Sequence, residues 1–470
     1  MVEEGVVVRS LTLSEAPQGP SRRAFFLLCA LAGTLLACPK GIQLEERLPP
    51  APPLDRGTVD DGPISRVRRP SRLTADPSQE YDPIVSPDGG VLAYVSHRRG
   101  NADVFIRFLP GSGRVGEYPV LDHYAADSDP TWAPNGRQIA FISRRDDPKG
   151  DLYVYNLRSG DAVPDAVRDA ILTKFGEALT LPRTGESFGD GAQARAEVEQ
   201  LERISEFLEK RDPVVRISGA DREDRGPAWS PDGKTIYYAS RLPGQPENVW
   251  ALDIRKFDSK PLTTEGGFDP APSRDGKYLV YASRANDENG GLRVRRLSDG
   301  GTTSLTGGSP IDGFPAFSSD GTTVFFSRYA YDTNEDGKID VNDRPQIYAV
   351  AFRPEILFSA KPSLSTPWPV TPVGRYDLFP AAAAGRLFYS SDDGVNTDVF
   401  AIPESGIFPE LASAAEELAL ADQLAGEPEL RLLLLEQIVA RRPGEDAAAQ
   451  DARLAAARLR SYHEKQRPQD

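Results

Sequence analysis

Twelve residues from Asp332 to Asp343 carry the most specific chemistry in this chain. They read Asp332-Thr333-Asn334-Glu335-Asp336-Gly337-Lys338-Ile339-Asp340-Val341-Asn342-Asp343, with oxygen side chains at positions 1, 3, 5, 9 and 12, glycine at 6 and isoleucine at 8. Hard cations take oxygen ligands at this spacing, and a backbone carbonyl at position 7 adds one more. The expected ligands to calcium are Asp332, Asn334, Asp336, the carbonyl of Lys338, Asp340 and Asp343. An aspartate at position 12 reaches less far than a glutamate, and apolar strand-like runs flank the loop. A structural ion of modest affinity is the expectation; a polar turn that binds nothing is the alternative.

Other acidic residues recur. Asp82, Asp129 and Asp269 stand directly before a proline, and Asp224, Asp312 and Asp377 stand three residues before one. If the segments around them close into a ring, six carboxylates meet at one mouth and attract basic groups or cations from a partner. The alternative is that each aspartate caps neighbouring backbone or pairs with an arginine. Gly185-Glu186-Ser187-Phe188-Gly189 matches the nucleophile-elbow pattern. That elbow needs a large parallel sheet around it, which its surroundings do not supply. His97, His123 and His463 have no acidic partner in a suitable order. No catalytic residue is expected, and the chain is read as a binding protein, not an enzyme.

The elements that must position these groups come from a repeat. Six segments share one pattern: Asp82-Pro83 to Asp88-Gly89, Asp129-Pro130 to Asn135-Gly136, Gly226-Pro227 to Asp232-Gly233, Asp269-Pro270 to Asp275-Gly276, Phe314-Pro315 to Asp320-Gly321, and a decayed Phe379-Pro380 to Gly385. Proline and glycine preset a turn between two apolar strands. A third, alternating strand follows in each unit, as in Val249-Trp250-Ala251-Leu252. A short segment such as Leu305-Thr306 completes a fourth. Six units of four antiparallel strands make an all-β, six-bladed β-propeller. Leu73-Thr74 precedes the first full unit and is expected to supply the missing outer strand of the last blade, closing the ring.

The Pro-x-Trp-Ser-Pro-Asp-Gly stretches, followed by Ser143-Arg144, Ser240-Arg241, Ser283-Arg284 and Ser327-Arg328, resemble the TolB-type propeller family over residues 70–403. The resemblance implies a protein-binding scaffold in the cell envelope, with partners such as a peptidoglycan-associated lipoprotein or a membrane export complex. Blade 6 and two insertions depart from the family pattern. One insertion, 164–211, is expected to be helical; the other is the calcium loop, 332–343.

The chain has 470 residues, is 39% apolar and 27% charged, and carries a net charge of −15. Such a balance suits a globular protein and argues against nucleic acid. Both cysteines, Cys29 and Cys38, lie near the start, so no disulfide framework is expected. Ala24 to Ala37 is apolar, too short to anchor in a bilayer, and follows Arg22-Arg23, as an export signal does. Leu35-Leu36-Ala37-Cys38 resembles the lipobox of bacterial lipoproteins, which implies cleavage after residue 37 and acylation of Cys38. An ordinary signal peptide is the alternative, and Sec or twin-arginine export stays open. Residues 38–69 form a proline-rich linker. Residues 409–465 read as three helices that resemble the end of a tetratricopeptide repeat. They either pack on the propeller or dimerise, or bind a partner helix. The expected location is the periplasm or the cell surface, on the outer membrane through Cys38. An enzyme acting on polysaccharide or peptide, or a cell-wall carbohydrate-binding module, are the competing functions.

Overall fold

Each Ser-Pro-Asp-Gly stretch folds as a hairpin turn sealed by its own side chains. Ser86 Oγ donates to Asp88 Oδ1 at 2.7 Å and accepts from Val91 N at 2.9 Å, while Gly89 N donates to Ser86 O at 2.8 Å. Ser230, Ser273 and Ser318 repeat the arrangement with Asp232, Asp275 and Asp320. The turn ends at a positive φ, +75° at Gly89 and +69° at Gly233, which glycine adopts without penalty.

In the computed structural model these turns organise a ring. It describes residues 67–466 apart from 114–115, 122, 157–213, 220–221, 286–289, 309, 393, 395, 409–410, 412 and 443–446. The export signal, Cys38, most of the linker, the helical insertion and the Gly185 to Gly189 motif lie outside the described residues.

The closing strand β1 is Ser71–Arg72. Blade 1 holds β2 (Glu80–Val85), β3 (Val91–Ser96), β4 (Asp103–Phe108) and β5 (Glu117–Pro119). Blade 2 holds β6 (Asp127–Trp132), β7 (Gln138–Ser143), β8 (Asp151–Asn156) and β9 (Val214–Arg216). Blade 3 holds β10 (Glu223–Trp229), β11 (Thr235–Arg241), β12 (Asn248–Asp253) and β13 (Asp258–Pro261). Blade 4 holds β14 (Phe268–Pro272), β15 (Tyr278–Ser283), β16 (Gly291–Arg296) and β17 (Thr302–Ser304). Blade 5 holds β18 (Ile311–Phe317), β19 (Thr323–Tyr329), β20 (Gln346–Ala351) and β21 (Trp368–Pro369). Blade 6 holds β22 (Tyr376–Ala383), β23 (Arg386–Asp392) and β24 (Thr397–Pro403), with β1 as its outer strand. All pairings are antiparallel, and Ser71 lies opposite Ala401. Leu73 N donates to Val399 O at 2.7 Å and Val399 N to Thr74 Oγ1 at 2.9 Å, so Leu73 and Thr74 extend the closure.

Each blade's middle strands are buried on both faces against a neighbouring blade. The apolar clusters are therefore blade-to-blade cores, such as Val91, Ile106, Trp132 and Tyr155 between blades 1 and 2. The tail contributes α2 (Ala414–Gln423), α3 (Pro428–Arg441) and α4 (Ala447–Gln466), after a single turn α1 (Pro354–Leu357) in blade 5. Leu420, Leu433, Leu434 and Ile438 share one buried cluster with Phe325, Ile347, Leu387 and Ile402 of blades 5 and 6. Gln437 Nε2 donates to Pro369 O at 3.0 Å, and Tyr331 Oη donates to Glu436 Oε1 at 2.7 Å. Of the roles open to the tail, packing on the propeller is the one its buried face serves.

Candidate functional site

The innermost strand of every blade breaks its register at one place. The residue before the proline adopts a positive φ in all six blades: Asp82 +55°, Asp129 +52°, Gly226 +54°, Asp269 +49°, Phe314 +52° and Phe379 +55°. Ladder pairing skips there, between Tyr81 and Ile84 in blade 1 and at the matching positions elsewhere. Five of the six are not glycine, so each stores strain on the order of 1–3 kcal/mol. Aspartate tolerates this backbone better than phenylalanine does. The bulge turns these side chains toward the central channel, a cavity of about 500 Å³ lined by all six and by the six prolines that follow them.

Only three of the six expected carboxylates gather there. Each ties one blade to the next. The Asp82 carboxylate lies against the Asp129 backbone, Asp129 Oδ1 accepts from Gly226 N at 3.3 Å, and Asp269 Oδ2 accepts from Phe314 N at 3.1 Å. The other side of the ring is aromatic: Phe314 and Phe379 pack at 4.5 Å between centroids, and Tyr81 lies 6.0 Å from Phe379. Burial pushes Asp82 well above the usual carboxylate range, and the charges of Asp129 and Asp269 push it further. Burial raises Asp269 to about 7, against the pull of Arg225 and of the Phe314 N–H. Arg225 is itself held by Glu247.

At the turn end the channel meets Arg274, which stands where blades 1 to 3 carry Pro87, Pro134 and Pro231. Its Nε donates to Ser318 O at 3.2 Å, and its terminal nitrogen donates to Phe317 O at 3.3 Å and to Ala382 O at 2.8 Å. One guanidinium thus crosses from blade 4 to blades 5 and 6.

Asp224, Asp312 and Asp377 do not join the ring. A regular strand would send positions three before and one before the proline to the same face. The bulge breaks that alternation, so these three turn into the blades and are 1–3% exposed. Their places in blades 1 and 2 are taken by Glu80 and Asp127. Glu80 pairs with Arg98, Asp127 with Arg145 at 3.2 Å, and Asp312 with Arg328 through two bonds of 2.7 and 2.8 Å. Phe314 and Phe379 were missed as members of the channel ring; aligning the repeats on the proline alone would have found them.

The loop from Asp332 to Asp343 joins β19 to β20 at the same end as the channel carboxylates. Its donor set is all oxygen, which suits calcium. Each carboxylate is nevertheless turned onto backbone: Asp332 Oδ2 accepts from Gly337 N at 2.8 Å, Asp336 Oδ1 from Lys338 N at 2.9 Å, Asp340 Oδ1 from Asn342 N at 2.7 Å, and Asp343 Oδ1 from Thr333 N at 2.6 Å. Among the described residues no three acidic, histidine or cysteine side chains stand together as a metal cluster.

The architecture is that of a six-bladed β-propeller, and stretches of the chain are similar to known proteins. No family model matches the chain. The Tol-Pal system protein TolB of Ruthia magnifica subsp. Calyptogena magnifica is 30% identical over 95 residues, 20% of this chain and 22% of its own length. An uncharacterized peptidase of Bacillus subtilis (strain 168), YuxL, is 26% identical over 219 residues, 44% of this chain and 30% of its own. A solved structure of a putative TolB from Agrobacterium tumefaciens aligns with 59% of this chain and 78% of that one, at 19% identity and a TM-score of 0.40. The matches thus span less than a third of either curated relative. The expectation that the chain is not an enzyme is corrected by the first of these two classes of relative not standing alone: a protein named as a peptidase matches a longer stretch than TolB does.

Proposed function

We propose that this protein is a TolB-like propeller tethered in the cell envelope, where it receives a basic segment of a protein partner at the mouth of its channel. The carrying observation is the ring of Asp82, Asp129 and Asp269 beside Phe314 and Phe379, on strained backbone, in the wall of the central channel. Carboxylates there speed the approach of a cationic segment, and the phenylalanines offer it apolar contact. Lipidation at Cys38 would supply the tether, with several acyl chains holding more firmly than one. The loop from Asp332 to Asp343 would hold calcium as a clamp between β19 and β20. Its oxygen-only donors support this, once their backbone bonds are exchanged for the ion.

The test is cross-linking in envelope preparations with partners identified by mass spectrometry. Wild type is compared with a variant carrying Asp82→Asn, Asp129→Asn and Asp269→Asn. Partners lost in the variant, with association that weakens as salt rises, support the reading. The same partners with the same salt dependence overturn it. Fatty-acid labelling of wild type but not of Cys38→Ser tests the anchor.

A second reading is favoured by the relative from Bacillus subtilis. The channel would then admit a peptide to a peptidase-like protein, and turnover of unstructured peptides by the full chain would reveal it.

A further inference from the structure

The six blades act as internal controls for one another, and two of them lack a charge. The acid three residues before the proline is buried in five blades. In blades 1, 2 and 5 an arginine reaches it: Arg98 to Glu80, Arg145 to Asp127 and Arg328 to Asp312. Arg98 and Arg145 each stand two residues after the serine that pairs across from the acid, Ser96 and Ser143. Blade 4 avoids the problem with Gly267, where an added Cβ would sit 3.2 Å from Thr263 Oγ1. Blades 3 and 6 keep the acid and the serine, Asp224 opposite Ser240 and Asp377 opposite Ser391, but place no arginine on them. In blade 3 the position two after the serine is Leu242.

The atoms left behind are orphans. Asp224 Oδ1 and Oδ2, Ser240 Oγ, Asp377 Oδ1 and Ser391 Oγ are all buried without a well-formed hydrogen bond. Both carboxylates are 1% exposed. Gln346 at the blade 5–6 junction gives its amide nitrogen to Thr371 O at 3.0 Å and leaves Oε1 buried and unbonded. Arg216 and Arg222 act on Asp224, and Arg375 on Asp377, through their charge without an ion pair, and each is engaged elsewhere. Arg216 pairs with Asp151 at 2.8 Å, Arg222 lies over the Trp250 ring at 4.5 Å, and Arg375 over the Phe400 ring at 5.5 Å. Hydroxyls stand beside both carboxylates, Ser218 and Ser240 at Asp224 and Ser391 and Thr371 at Asp377, but no arginine forms an ion pair with either, and a buried carboxylate without one is among the most costly groups a fold can hold.

We infer that blades 3 and 6 each hold a monovalent alkali cation in the seat that a guanidinium fills in blades 1, 2 and 5. One carboxylate with neutral hydroxyl and carbonyl oxygens balances a single positive charge and suits a hard ion. A divalent ion would need further carboxylates at the same place. Water would satisfy hydrogen bonds but leave the charge. A proton would remove the charge only in acid, since burial raises both groups to about 6 and no further. Blades 3 and 6 face each other across the ring, so the two ions would brace opposite sides.

The test is a thermal melt of the full chain at pH 8 with a divalent chelator present. Choline chloride is replaced stepwise by sodium or potassium chloride at constant ionic strength. A rise in Tm of roughly 2–4 °C is expected as either alkali ion saturates. Asp224→Asn and Asp377→Asn should each remove part of that rise, and together all of it. Leu242→Arg restores the missing guanidinium; it should raise Tm in choline and remove the share of blade 3, and it serves even if an asparagine variant does not fold. Identical melting in choline and in both alkali salts overturns the inference and leaves water as the occupant. An alkali effect undiminished in the double asparagine variant overturns it too. Both outcomes are independent of whether the channel binds a basic partner.

Discussion

Asp269 should make the propeller less stable in mild alkali than in mild acid, and Asp269→Asn should remove that part of the pH dependence. Asparagine is the right perturbation because it tolerates the +49° φ at this position and keeps an oxygen to accept the Phe314 N–H. Burial raises the carboxyl to about 7 in the folded ring. In the unfolded chain it returns to the ordinary aspartate value near 4. Between these limits the folded protein binds the extra proton, so stability grows as pH falls through 7 and levels off near 4. The full gradient is about 1.4 kcal/mol per pH unit, and solvent in the channel reduces it to roughly 1 kcal/mol. Urea titrations of wild type and variant at pH 6, 7 and 8 would measure it. The informative quantity is the difference between the two proteins, which cancels other raised acids such as Glu117, pushed to about 8 by burial. The variant should gain on wild type as pH rises from 6 to 8. A difference that stays flat across that window would refute the idea that the channel holds a carboxylate short of compensation.

Arg328→Met should cost about 3–5 kcal/mol, because it strands Asp312 in the blade, while Asp312→Asn with Arg328→Met should cost much less; chemical denaturation of the three proteins checks this. Leu433→Ala removes a side chain 1% exposed at the tail interface, and a loss of about 2–5 kcal/mol in one cooperative transition is expected. A separate early transition of the tail would show that it is not part of the same core. Calcium should raise Tm with the logarithm of its concentration once above about 10⁻⁴ to 10⁻³ M, and Asp332→Ala and Asp336→Ala should abolish the shift. A Tm indifferent to millimolar calcium would exclude the ion from the loop.

The propeller was legible because its signal is local and repeated. Serine, proline, aspartate and glycine specify a hairpin turn by their own bonds, and the pattern occurs often enough to survive decay at Ala384-Gly385. The closure by Leu73-Thr74 could be foreseen because one blade lacked a strand. The channel was only half legible. A bulge of one residue decides whether an aspartate faces the channel or the blade, and nothing in the local sequence distinguishes Asp269 from Asp377 except its distance to the proline. The tail shows the complementary gap. Leu430, Leu433 and Ile438 announce an apolar face, but what covers it depends on Phe325, Leu387 and Ile402, remote in sequence and brought there by the ring.

The closing strand gives the molecule a mechanical polarity. The inner strands run from the carboxylate mouth toward the turns, so β24 runs the same way and β1, antiparallel to it, runs back from the turn side. The chain therefore joins the ring on the turn side, where Arg68 N donates to Ile407 O at 2.6 Å. A pull on the segment ahead of Val67, directed away from the turns, acts along the axis of β1. It stresses the bonds around Leu73 and Thr74, and the contact of Arg72 with Asp398, in parallel shear instead of peeling them singly. The two-residue strand is then stronger under tension than its length implies, and the carboxylate mouth lies at the opposite end of the ring from the point where the chain enters it.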